Sequence, residues 1–232
     1  MPIPTIVFDL DGTLVDTAPD LVGALNHVLA SEGLAPVAFE EARNMVGGGA
    51  RLLIERGVAA EGRQLPEEEI ERLCRDLIAH YAAHISDRSR PFPGVEAALD
   101  SLAGRGYRLA VCTNKLEWLS RRLLDALDLS ARFAAICGAD TFGVSKPDPK
   151  ILFGTVARVG GDPGAAVLVG DSVTDIATAR AAGIPILAVD FGYSETPVAQ
   201  LRPDQVIADF AELPAAVYRL LEPAEGEFAR ER

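Results

Sequence analysis

The chain has 232 residues, 49% of them hydrophobic and 24% charged, the balance of a globular protein that can bury a real core. Its net charge of −12 provides no surface that would draw nucleic acid or an anionic membrane by general electrostatics, so an anionic small substrate would have to be held by local positive charge or by a metal. Cys74, Cys112 and Cys137 form no CxxC pair, no apolar run approaches the ~20 residues that span a bilayer, and the first strand starts without a leader-like segment. These features indicate neither a disulfide framework nor a zinc site and lead us to expect a cytoplasmic protein.

The first predicted element is a buried strand in Thr5-Ile6-Val7-Phe8, which ends in Asp9-Leu10-Asp11-Gly12, two carboxylates around one leucine before a glycine turn. Thr17-Ala18-Pro19-Asp20 reads as a helix entry, with Leu21, Val22, Leu25, Val28 and Leu29 at helical spacing until Gly33. A short helix is expected over 39–46, a loop at Gly47-Gly48-Gly49, and helix again from Arg51 to Arg56. Pro66 opens a longer helix whose first turn carries Glu67, Glu68 and Glu69 and whose apolar face runs through Ile70, Leu73, Leu77, Ile78, Tyr81 and Ile85. Composition breaks at Arg90-Pro91-Phe92-Pro93-Gly94.

From there the pattern alternates. Strands are predicted at 107–112, 134–137, 166–169, 186–189 and 205–207, and helices through Ala97 and Leu102 to Gly104 or Gly106, and near 116–127, 149–159, 173–182 and 210–221. Alternation of this kind implies an α/β fold, a Rossmann-like three-layer core around a parallel sheet. The all-helical segment falls between the first strand and the rest. Residues 1–16 and 89–232 are therefore expected to form the core and residues 17–88 an inserted helical domain over the sheet's C-terminal edge, with the polar stretch from Glu222 to Arg232 fraying.

Polar groups recur just after the apolar strands: Asp9 and Asp11, then Thr113-Asn114, then Ser145-Lys146-Pro147 on a later loop, then Gly170-Asp171-Ser172 with Asp175. If the strands are parallel, these groups meet in one crevice. Carboxylates from two strands suit Mg²⁺, and a lysine, a hydroxyl and an amide suit the oxygens of a phosphoryl group. Each group also has a plainer reading. Asp9 and Asp11 can simply turn the chain, Asp171 can cap the next helix, Thr113-Asn114 can end a strand, and Lys146 can be a surface lysine.

The motifs Asp9-Leu10-Asp11-Gly12-Thr13-Leu14-Val15, Thr113-Asn114, Lys146-Pro147 and Gly170-Asp171-Ser172-Val173-Thr174-Asp175 resemble, in order and over nearly the whole chain, those of the haloacid dehalogenase-like hydrolase superfamily. The helical insertion is similar to that family's C1-type cap. The stretch Asp16-Thr17-Ala18-Pro19-Asp20 and the later Phe191-Gly192-Tyr193 resemble the family's bacterial phosphoglycolate phosphatases. The resemblance implies Asp9 as nucleophile, forming an aspartyl-phosphate, and Asp11 as general acid and then base. It implies Mg²⁺ on the carboxylates of Asp9 and Asp171 and the main-chain carbonyl of Asp11, with Asp175 behind them orienting the metal's waters or Lys146. Thr113, Asn114 through its backbone, and Lys146 would hold the phosphoryl oxygens.

The expected partner is a small phosphorylated metabolite, 2-phosphoglycolate by resemblance, with no nucleic acid and no membrane; an exposed apolar stripe on the cap would support a homodimer. Pyrophosphate, nucleotides and sugar phosphates stay open, since fold and chemistry do not choose among them. Asp11 argues against C–halogen cleavage, whose family members lack this second aspartate. Leu21 stands where similar phosphomutases carry a histidine. A non-catalytic binding protein would be expected to have lost Asp9 or Asp11, and both are present. Cys112 reads as a buried apolar residue, and His27, His80 and His84 as exposed helical residues. Arg51 beside the glycine loop has two readings, an ordinary helix-start arginine or a partner for a substrate carboxylate.

Overall fold

The computed structural model describes residues 3–221, so the polar tail from Glu222 lies outside the described residues. Strand β1 (Thr5–Phe8) is buried along its whole length, as its β-branched and aromatic residues require. After a short strand β2 (Val15–Asp16), the chain forms helices α1 (Ala18–Ser31), α2 (Phe39–Arg43), α3 (Ala50–Ala60) and α4 (Glu67–Ala83) and then strand β3 (Arg90–Pro91). The remainder alternates: α5 (Val95–Gly104), β4 (Arg108–Cys112), α6 (Glu117–Ala126), β5 (Ala135–Cys137), α7 (Pro149–Arg158), β6 (Ala166–Gly170), α8 (Val173–Ala182), β7 (Ile186–Val189), β8 (Gln205–Ile207) and α9 (Leu213–Leu221).

Six strands form one sheet in the order β5-β4-β1-β6-β7-β8, with every pairing parallel. The chain runs from β1 out to β4 and β5, then returns past β1 to β6. A crevice opens at such a reversal, above the C-terminal ends of the strands. Helices α7 and α8 pack on one face and α5 and α9 on the other. Alternate β1 side chains serve the two faces: Ile6 and Phe8 join one core, while Val7 joins Ile151, Leu152, Val156 and Ile176 in the other.

Helices α1, α3 and α4 pack together through Leu25, Val28, Leu53, Ile54, Leu73 and Leu77, each fully or almost fully buried. Burial of each such side chain contributes about 1.5–3 kcal/mol. The two ends of this segment are tied together by the antiparallel β2–β3 pair, which sequence reading missed because two-residue strands carry no periodic signal. Asp20 completes the tie: it accepts hydrogen bonds from the backbone N–H of Arg88 and from both the N–H and hydroxyl of Ser89.

The structure departs locally from the sequence reading. Helix α2 stops at Arg43 rather than 46, and α3 runs on to Ala60. Thr17 does not cap α1; its hydroxyl is engaged with Asp11 at 2.7 Å. Ile85 is buried although α4 ends at Ala83. On α1–α4, Phe39 is the one exposed large hydrophobic side chain among the described residues. No helix among those residues is long and apolar enough to cross a membrane.

Candidate active site

Parallel register sets the site. Phe8 is level with Val111 of β4 and Val169 of β6, so Asp9, Thr113 and Asp171 all emerge within a residue or two at the same edge. The Gly12 turn that follows has φ +82°, and a Cβ there would lie 2.5 Å from Asp171 Oδ2. Only glycine lets this turn press against the carboxylate. Gly192 makes a similarly close approach, and a Cβ there would collide with the Asp171 side chain.

Lys146, fully enclosed on the loop between β5 and α7, places its ammonium 2.8 Å from Asp9 Oδ1 and 2.6 Å from Asp175 Oδ1. Asp175 is itself fixed at the start of α8, where it and Ser172 exchange hydrogen bonds in a capping box. The cap of α8 is therefore Ser172, which leaves Asp171 free of that duty. Asp171 instead accepts from the Thr13 hydroxyl and from the Tyr193 N–H, each at 2.8 Å. The Asn114 side chain clamps the backbone of Lys146, accepting from its N–H and donating to its carbonyl. Thr113 is buried, and its hydroxyl accepts from the backbone N–H of Lys115 at 3.3 Å.

Carboxylate oxygens of Asp9, Asp171 and Asp175 lie within 4.8 Å of one another, with the ammonium of Lys146 against two of the three. Burial is the main force on Asp9 and pushes its carboxyl up to about 6, opposed by Lys146 and reinforced by Asp175. Asp171 is pushed up to about 8 by burial and by the negative neighbours Asp175 and Asp9. Burial works against the charge of Lys146, yet Asp175 and Asp9 outweigh it and hold the ammonium charged. Asp9 Oδ1 is buried without a well-directed hydrogen bond, despite its ion pair. An oxygen-only donor set, an excess of negative charge and an unsatisfied carboxylate oxygen fit a hard divalent cation.

Asp11 lies on a second, separate set of contacts. Its Oδ1 accepts from Thr17 and pairs at 3.0 Å with the ammonium of Lys115, a residue that sequence reading passed over immediately after Thr113-Asn114. Lys115 is buried. Burial opposes its charge, but Asp11 and Tyr81 raise its pKa to about 12. Its ammonium also donates to the Tyr81 hydroxyl at 3.3 Å and lies 4.4 Å from the centre of that ring. Tyr81 belongs to α4, so this contact joins the helical segment to the sheet edge. A cavity of about 280 Å³ lies here, with Asp9, Asp11, Thr113 and Lys115 on one side and Leu53, Leu77 and Tyr81 on the other.

The remaining candidates fall away from the chemistry. Arg51 borders the cavity, but its guanidinium is half exposed and spent on Glu55 at 2.7 Å and Glu67 at 2.5 and 2.6 Å. The Cys112 thiol is pushed up to about 12 by burial, as an inert core cysteine should be. His27, His80 and His84 stack on one another along α1 and α4, with His27 and His84 exposed and His80 half-buried. Tyr193, quoted in the sequence only for its resemblance, has a structural contact that the sequence did not assign. Its hydroxyl donates to Asp16 and accepts from the Ala18 N–H, bracing the point where the helical segment leaves the core. Arg43 of α2 adds a second brace by donating to the carbonyls of Phe191 and Gly192.

The model of the family described as haloacid dehalogenase-like hydrolase matches residues 6–189. The chain belongs to this family. The hydrolase is 53% identical over 217 residues to the phosphoglycolate phosphatase of Caulobacter vibrioides, covering 94% of this chain and 92% of that protein. It is 48% identical over 218 residues to the phosphoglycolate phosphatase of Agrobacterium fabrum, covering 94% of each. Among solved structures, a crystal structure from Haemophilus somnus 129pt, described as a predicted phosphoglycolate phosphatase, superposes with a TM-score of 0.86 at 31% identity. That superposition covers 92% of this hydrolase and 97% of the other chain.

Proposed function

We propose that this hydrolase is a Mg²⁺-dependent phosphomonoesterase that converts 2-phosphoglycolate to glycolate and phosphate. The observation that carries the reading is the pair of carboxylates at the end of β1: Asp9 against Lys146 and Asp11 against Lys115, both facing the same cavity. Two carboxylates two residues apart, each with its own partner, allow two different tasks. The substrate is taken from the relatives.

In this reading Asp9 attacks phosphorus and carries the phosphoryl group as an aspartyl-phosphate, while Lys146, the Thr113 hydroxyl and the main chain of Asn114 hold the phosphoryl oxygens as charge moves onto them. Asp11 gives a proton to the departing alkoxide and then takes one from the water that hydrolyses the intermediate. Asp9 and Asp171, with the main-chain carbonyl of Asp11, would hold the Mg²⁺, which when bound offsets the repulsion between an anionic nucleophile and an anionic substrate. Asp175 keeps Lys146 in place. The α1–α4 segment, residues 17–88, acts as a cap that shields the site from bulk water. Leu21 lines the cavity and offers no proton-transfer group there, which favours hydrolysis over return of the phosphoryl group to a sugar. The protein works on a small free metabolite in the cytoplasm.

The test is kcat/KM with Mg²⁺ across phosphoglycolate, pyrophosphate, several nucleotides and hexose phosphates. We expect phosphoglycolate to lead by about a hundredfold, roughly 2.7 kcal/mol of transition-state discrimination. A flat panel would overturn the substrate.

A further inference from the structure

We infer that Lys115 and Tyr81 form a carboxylate clamp that recognises the leaving group, so that the residue setting substrate choice sits next to the proton-transfer residue Asp11. This deepens the proposed function and rests on it.

Three observations converge. Of the residues lining the cavity, Lys115 and Arg51 carry positive charge, and the guanidinium of Arg51 is held by Glu55 and Glu67. Lys115 is the buried cation of the two, and the one that faces an anion inside. An ammonium has three N–H donors, and among the described residues Asp11 and Tyr81 account for two of them. The Tyr81 hydroxyl receives one of these bonds, and its own proton has no acceptor among the described residues. Two buried donors, N–H and O–H, therefore share one end of an otherwise largely apolar wall.

Position does the rest. The bridging oxygen of a phosphomonoester must reach Asp11 to receive its proton, and Lys115 is 3.0 Å from that carboxylate. In phosphoglycolate the carboxylate oxygens lie three covalent bonds of about 1.5 Å from the bridging oxygen. A carboxylate on so short a tether falls beside Lys115 and Tyr81 when its ester oxygen is beside Asp11. Leu53, Leu77 and Leu119 would penalise a polar sugar or base in the same space.

The experiment compares kcat/KM for phosphoglycolate and for ethyl phosphate, which matches its length without the carboxylate, in wild type, Lys115→Met and Tyr81→Phe, all with Mg²⁺. Wild type should prefer phosphoglycolate. Lys115→Met should cut that preference by about 10- to 150-fold, the scale of one charge-assisted hydrogen bond, and should weaken inhibition by glycolate while leaving inhibition by phosphate unchanged. Tyr81→Phe, which keeps the ring and the packing of α4, should cut the preference by about 2- to 12-fold and covers the case in which the lysine variant fails to fold. A parallel fall for both substrates would make Lys115 a support for Asp11 and overturn the clamp, as would an unchanged preference in Tyr81→Phe. A wild-type enzyme with no preference between the two substrates would instead overturn the proposed substrate itself.

Discussion

The two sides of the cavity are built differently. On the side of Asp9, the polar groups rise from the ends of parallel strands or the loops that follow them, and Lys146, Asp171 and Asp175 are each locked by at least one buried contact to another part of the core. On the side of Asp11, two donors from β4's end and α4 stand in an apolar wall contributed by α1, α3 and α4. The difference separates chemistry from choice. Strand ends in a closely packed sheet hold charges rigidly, which phosphoryl transfer demands, whereas helices joined through loops can vary the space offered to the leaving group without disturbing those charges.

The largest expected effect breaks the comparison at its rigid side. Asp9→Asn should lower kcat on the order of 10⁶-fold, the scale seen when a nucleophile is removed. Asp11→Asn should cost less, about 10²- to 10⁴-fold, because it removes proton transfer and leaves the nucleophile. Equal losses, measured by single-turnover kinetics, would erase the division of labour.

A second prediction concerns charge. Asp9 rises from its ordinary 3.8 to about 6 and Asp171 from 3.8 to about 8. Both bind a proton more tightly in the folded chain than in the unfolded one, so their contribution favours folding at low pH and is lost as pH climbs from about 4 through 8. A bound divalent cation would relieve that repulsion. The gain in Tm on adding Mg²⁺ to metal-free protein should therefore be larger near pH 8 than near pH 5; a gain independent of pH, in a thermal melt, would remove the cluster as the metal site.

The smallest expected effect lies at the cavity rim. Arg51→Ala should leave KM for phosphoglycolate within about twofold, since its guanidinium is turned to Glu55 and Glu67 at the exposed rim. A large rise in KM would return the arginine to the substrate side and shift the leaving-group site outward from Lys115.

Much of this protein was determined by local sequence. The β-branched run before Asp9, the alternation of strands and helices after Gly94 and the polar groups at strand ends specify a parallel sheet, because period and punctuation act over a few residues. Strand β8 was legible only faintly, being short and at the sheet's edge. Other features came only with tertiary structure. Thr17 looks like a helix cap until Asp11 is found beside it, and the grip of the Asn114 side chain on the Lys146 backbone, 32 residues away in sequence, appears only in the folded chain. The pairing of Arg51 with Glu55 and with Glu67, sixteen residues away, is likewise a product of the fold. Lys115 is the sharpest case. A lysine following a strand reads as a solvated charge, and it becomes a buried one only because α4 brings Tyr81 over the end of β4 and Asp11 supplies a counter-charge from the end of β1. Whether a charge is buried depends on what packs over it, and that is a long-range property no local pattern encodes.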